Sequence, residues 1–459
     1  MTSLSARRLV PTCILSAVAL AAFVAPGAAN ASIGEQCSGS NITGQGSTLQ
    51  KLAQVSVWDG DFNTTTATRA CSGTQGSKGK PTITYNSTGS GAGLESWGAN
   101  GSATTNFGAS NAWVSTDEPP NSTQISEIEA HGKTELSFPG TVLTIPVLQG
   151  AVAVIVNLPA GCEGVSKANA HRIVLDNATL EKIYRGTITK WSEITDSEDK
   201  LLAEKGKTCN PETPITPIAR KDGSGTTHIF KKYLDLINKG AFETEKAESK
   251  TWTEISEGAE NTTWPAAAHV VKPAATGGGA LVSKVAETPS SIGYANLADA
   301  RSNGSFTSPK NGPYTSRFWV EVQNNGTQTT GTITYAEPST NGTGEAVANA
   351  NCASTEYTNG EEVPFPPSSV TEPWNEVTTN TTEKNYPICG LTYALSLHSY
   401  SKYPGTTLQE ATTAANFLYY VLGVGPQGGQ SLIANHDYLA LPSGAVQTEA
   451  TAGVEKIRF

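Results

Sequence analysis

Charge is scarce in this chain. Lys, Arg, Asp and Glu make up 16% of its 459 residues, acids outnumber bases by 41 to 31, and the net charge is −10. Such a surface repels nucleic acid, polyanions and anionic membranes, so an anionic partner must enter a local pocket. Metal-ligating patterns are missing too: there is no C-x-x-C and no paired histidine spacing, which leaves neither a zinc site nor a cofactor to name. A G-x-S-x-G elbow, the usual mount for a serine nucleophile, is also absent. No fixed-period repeat emerges, and no apolar run beyond residue 31 is long enough to span a bilayer.

The N-terminus carries Arg7 and Arg8, then one apolar run, then Ala29-Asn30-Ala31 in the small-x-small pattern of a cleavage site. Residues 1–31 therefore predict a removed export signal and a periplasmic or extracellular protein. Neither Thr12-Cys13 nor Gln36-Cys37 has the neighbours of a lipid-anchor site, so the mature chain is expected to be soluble and not lipidated. Six cysteines remain: Cys37, Cys71, Cys162, Cys209, Cys352 and Cys389. An even number in an exported chain predicts three disulfides, and closeness in sequence suggests 37–71, 162–209 and 352–389.

About 428 residues after the signal exceed what one core usually serves, so two domains are expected. From Cys37 to about Ser302, short β-rich runs alternate with helical patterns, the mark of α/β layering around a mostly parallel sheet. The run Thr141 to Pro159 is too long for an ordinary strand and predicts two strands joined near Gly150. Asp176 or Asn177 caps a helix bearing Leu180, Ile183 and Tyr184; Ile229, Phe230, Tyr233, Leu234 and Ile237 share a helical face, and a last helix runs from Leu408 to Gly423. Residues 303–385, rich in Asn, Thr, Gly and Pro, predict a surface elaboration of turns and short exposed strands.

Four places place glycine and hydroxyl residues where a strand should hand over to a helix: Gly44 to Thr48, Thr88 to Gly93, Gly108 to Asn111, and Asp222 to Thr226. Each offers backbone N–H groups, a positive helix end and a hydroxyl donor, the parts of an oxyanion cradle. Glycine lets the backbone approach the ligand, and Arg220 adds a planar fork for two oxygens of a tetrahedral anion. Asp222 reads as a turn residue that can also hold Arg220 by a local ion pair.

In order, GQGST, ITYNSTGSGAG, NFGASNAWVS, AVAVIVNLP, RIVLDNATLEKIYRGTITKW, IARKDGSGTTHIFKKYL, SSIGYANL, the helix region before GVGPQGGQ, and YLALP resemble the periplasmic phosphate-binding proteins, the PstS-like substrate-binding subunits of the phosphate ABC transporter. The likeness spans nearly all of the mature chain outside about 303–385. It implies a type II periplasmic-binding-protein fold: two α/β lobes, each with a mixed, mostly parallel sheet flanked by helices, joined by a hinge. Lobe I would hold residues 32–143 and 304–459, and lobe II residues 144–303. It further implies a monomer that captures inorganic phosphate, or sulfate or another tetrahedral oxyanion, for an ABC permease in the membrane, without catalysis. The implied ligand shell is Thr48, Leu49, Ser90, Asn111, Arg220, Ser224, Gly225 and Thr226.

Three departures from the family stand out. Leu49 replaces an aromatic, ATGGGALVSKV replaces a more polar segment, and Asn111 stands where the family has an aspartate that accepts a proton from phosphate. Two other functions compete: a secreted phosphatase or hydrolase with Ser224 as nucleophile helped by Asp222 or His228, and an envelope or matrix adhesion protein that presents residues 303–385.

Overall fold

The computed structural model describes residues 39–459 except for internal stretches, chiefly 64–80, 340–356 and 363–385. The expected export signal, Cys37, Cys71 and Cys352 lie outside the described residues. Among the described residues no helix is long and apolar enough to cross a membrane.

One ten-stranded sheet organises the chain. Its strands are β1 (Ile42–Gly46), β2 (Ile83–Asn86), β3 (Trp113–Thr116), β4 (Val142–Asn157), β5 (Thr216–Arg220), β6 (Lys272–Ala275), β7 (Ser291–Asn296), β8 (Arg317–Trp319), β9 (Cys389–Leu397) and β10 (Tyr438–Leu439). The order is β6-β5-β7-β4-β9-β3-β1-β2, with β8 and β10 also on β4. In each wing the pairing is parallel: β2 and β3 flank β1, and β6 and β7 flank β5. The centre, where β4 meets β7 and β9, is antiparallel.

The run Thr141 to Pro159 is a single strand, not two. All sixteen residues of β4 are buried, and what changes along it is the partner: β9 pairs with Val142–Ala151, and β7 takes over at Val152–Asn157. The junction foreseen at Gly150 is thus a switch of pairing within an unbroken strand. Pro146, which has no N–H to give a ladder, sits where the β9 register slips by one residue, as a proline inside a sheet requires.

The switch divides the sheet into a β1 half and a β5 half. Trp113 packs on Phe417 with ring centres 5.0 Å apart in the first, and Phe230 stacks on Tyr294 at 4.5 Å in the second. Helices cover both: α1 (Ser90–Ser96) follows β2, α2 (Asn177–Arg185) and α3 (Gly225–Ile237) serve the β5 half, and α4 (Leu408–Val421) packs behind β1. Asp176 is the N-cap of α2, its carboxylate accepting from Thr179 N, and Gly186 closes the helix in the left-handed region. The N-cap is thus the first of the two residues, Asp176 and Asn177, that the sequence offers.

Part of 303–385 departs from the expected surface elaboration. Phe318, Trp319, Val320 and Val322 are all buried, because β8 joins β4 and the next short strand, Glu321–Gln323, runs parallel to Val174–Leu175. Composition hid this, since the apolar residues are few and spaced among polar neighbours. Cys162 and Cys209 form the expected disulfide, with Cα atoms 4.6 Å apart. Cys389, buried at the start of β9, is disulfide-bonded as well.

Candidate functional site

The turns that follow β1, β2, β3 and β5 meet where the two halves face each other. After β1, Gly46 adopts φ +134°, and a Cβ there would lie 2.0 Å from the Ser115 carbonyl oxygen, so only glycine brings the turn this close to β3. Ser47 N donates to that same oxygen at 2.8 Å. Thr48 follows, and the side chain of the fully buried Leu49 lies against Gly150 of β4. After β2, Gly89 N donates to Gly46 O at 2.8 Å and aligns Ser90 at the first turn of α1.

Arg220, at the end of β5, is 1% exposed. Its Nε donates to Asp222 Oδ1 at 2.7 Å and its Nη2 to Asp222 Oδ2, a two-point grip that fixes the guanidinium plane. Gly277 N donates to Asp222 Oδ1 at 3.1 Å and braces the carboxylate in turn. The remaining Nη1 reaches across to the β1 half and donates to Thr48 Oγ1 at 3.0 Å.

The start of α3 completes the constellation. Ser224 Oγ accepts from Thr227 N, an N-cap bond, and Gly225 N donates to Ser90 Oγ at 3.2 Å across the two halves. A Cβ on Gly225 would come within 2.4 Å of Asp117 Cβ, so glycine is required for the approach. Ser224 and Thr226 are buried beside it.

Asp117, which follows β3, lies at the centre. Its Oδ1 accepts from Ser47 Oγ and its Oδ2 from Ser90 Oγ at 3.4 Å. Burial pushes its carboxyl up to about 6; the Ser47 hydroxyl, the Arg220 charge, the Ser90 hydroxyl and His228 pull the other way. The result is a buried carboxylate facing Arg220, two serines and a helix N-terminus, a set suited to a small anion that carries a proton.

A PBP superfamily domain matches residues 41–424. The chain belongs to that superfamily. Its fold is shared by PfluDING, a high-affinity periplasmic phosphate-binding protein solved with phosphate (TM-score 0.55, 19% identity, 89% of this chain and 92% of that one). A phosphate-binding protein from Stenotrophomonas maltophilia has it too (TM-score 0.54, 18% identity, 90% and 93%). In sequence, the phosphate-binding protein PstS 2 of Mycobacterium tuberculosis is 33% identical over 163 residues, 35% of this chain and 36% of that protein. The chain thus aligns with about a third of that relative's length.

Within this PBP-superfamily fold, Thr48, Ser90, Arg220, Ser224, Gly225 and Thr226 converge as the sequence groups them. Leu49 is adjacent, with Tyr438 Oη donating to its carbonyl at 2.6 Å. Asn111 departs from the group: its Nδ2 donates to Ser96 Oγ at the far end of α1, roughly 9 Å along the axis from Ser90. The reason is topological. Gly108 to Asn111 precedes β3 and forms a bridge of its own, so it is not a strand-to-helix turn; the end of β3 is Thr116, and the residue that enters the site is Asp117. Asp117 and Ser47 were missed, although the Ser115-Thr116-Asp117 sequence carries the same signal, a strand ending in hydroxyls. As for Ser224, Asp222 and His228, each has other business: Ser224 caps α3, Asp222 grips Arg220, and His228 Nδ1 lies 3.5 Å from Glu118 Oε1.

Proposed function

We propose that the chain captures inorganic phosphate between the β1 and β5 halves and hands it to an ABC permease, without turning it over. The observation that carries this reading is the buried Arg220, locked by Asp222 and aimed at Thr48, opposite an acceptor-only carboxylate at Asp117. The proposed shell is Thr48, Leu49, Ser90, Arg220, Ser224, Gly225 and Thr226, with Asp117 in the role that the sequence assigned to Asn111. The amides and hydroxyls bind unprotonated oxygens, Arg220 takes two of them, and Asp117 accepts the phosphate proton. The names of PfluDING and of the mycobacterial relative support the ligand class. The pairing switch at 151/152 supports two lobes hinged on β4, close to the boundary at residues 143/144 drawn from the sequence.

The test is calorimetry of the purified protein with phosphate, beside Arg220→Ala. Wild type should bind, and the variant should lose at least tenfold, because a charge-assisted pair is worth about 1.5–3 kcal/mol and more when desolvated. Equal affinity in the two proteins would put the ligand elsewhere. A phosphate ester incubated with the protein should remain intact.

A further inference from the structure

We propose that His228 and Glu118 form a proton-dependent latch between the two halves, a positioning role that rests on the anion-binding reading above. The two residues extend the chain segments that build the site. Glu118 directly follows Asp117 on the β3 side, and His228 stands two residues beyond Thr226, on the first turn of α3. His228 Nδ1 is 3.5 Å from Glu118 Oε1, and their side chains are only 1% and 7% exposed.

Both carriers are stiff. Thr116 Oγ1 donates to Glu118 O at 2.7 Å and accepts from Glu118 N at 3.2 Å, while His228 N donates to Ser224 O at 3.1 Å within the helix. A contact between two such fixed groups exists only while the halves are together. Moving them apart returns Glu118 and His228 to water; bringing them together desolvates both. That desolvation is offset best when the imidazole is charged, since a buried carboxylate needs an opposite charge.

The surrounding charges are mixed. Asp117 and Glu118 face His228 from the turn after β3, and Arg220 and Asp222 stand at the end of β5. Lys231, one turn along α3, is directed away, donating to Thr263 O at 2.7 Å, and Tyr294 of β7 contacts the neighbouring Thr227 at 2.7 Å. The α3 N-terminus opposes a cation. Two carboxylates counter that effect, Glu118 from 3.5 Å and Asp117 through its charge. Acidification therefore favours the shut arrangement, and alkaline pH releases it.

The experiment compares wild type, Glu118→Gln, His228→Gln and the double variant at pH 6 and pH 8. Phosphate affinity is measured by calorimetry, and the radius of gyration of ligand-free protein by small-angle scattering. The titration of phosphate itself is common to all four proteins and cancels between them. Wild type should gain about tenfold more affinity than any variant on going from pH 8 to pH 6, with the double variant no worse than the singles, the mark of a coupled pair. Ligand-free wild type should be more compact at pH 6 than at pH 8, and the variants should not change. Variants that lose the same factor at both pH values, with scattering curves that follow wild type, would reduce the pair to packing and overturn the latch. If wild type binds no phosphate, the earlier reading fails, and the scattering comparison alone decides the latch.

Discussion

A carboxylate that can only accept is a filter for ligands with a proton to give. Asp117, ionised above about pH 6, would meet sulfate with two negative groups in contact and phosphate with a hydrogen bond, and sites built on one obligatory hydrogen bond discriminate by roughly 10⁴–10⁵. Asp117→Asn should relax the filter, because the amide can turn its N–H₂ toward an unprotonated oxygen. Displacement of labelled phosphate by sulfate should then be easy at pH 5 and pH 8 alike. In wild type it should be hard at pH 8 and easier at pH 5, where the carboxyl is protonated and can donate. Sulfate that stays inert against the variant at both pH values would remove Asp117 from the ligand. At this scale the sequence was readable for Arg220 and Asp222, whose ion pair is local. It failed for Asn111 and Asp117, six residues apart, because which of two nearby polar residues enters a cleft depends on where a short strand ends.

Elements were legible wherever their signals are local. The cap, apolar face and closing glycine of α2 are all written within twelve residues, Asp176 to Thr187. Asp176→Ala should cost about 1 kcal/mol, since Thr179 N then loses its acceptor, and chemical denaturation of the variant should show that loss with an unchanged slope. A larger effect would mean that α2 frays beyond its cap. By contrast β4 was misread. A sixteen-residue strand lies beyond ordinary lengths, and nothing local distinguishes one long strand that changes partners from two strands with a turn. The burial of Phe318 to Val322 was equally hidden, because it depends on Val174 and on β4, well over a hundred residues away.

For the molecule as a whole, the covalent links are the next test. Cys162–Cys209 closes a loop on the β5 half, and Cys389 is bonded where β9 enters the centre of the sheet. Mapping of unreduced peptides should join Cys389 to Cys352, tying the residues between them to the start of β9. A Cys389 peptide joined to Cys37 or Cys71 would tie that strand to the N-terminal segment instead. The long strand sets a different kind of limit. Val142–Ala151 pair with β9 and Val152–Asn157 with β7, so β4 works like a shared axle. Along β4, a swing between the halves must be taken up as torsion spread over a few peptide units around Ala151 and Val152. Neither half can melt without stripping a wall from its neighbour, so a partly denatured chain with one intact half would be short-lived.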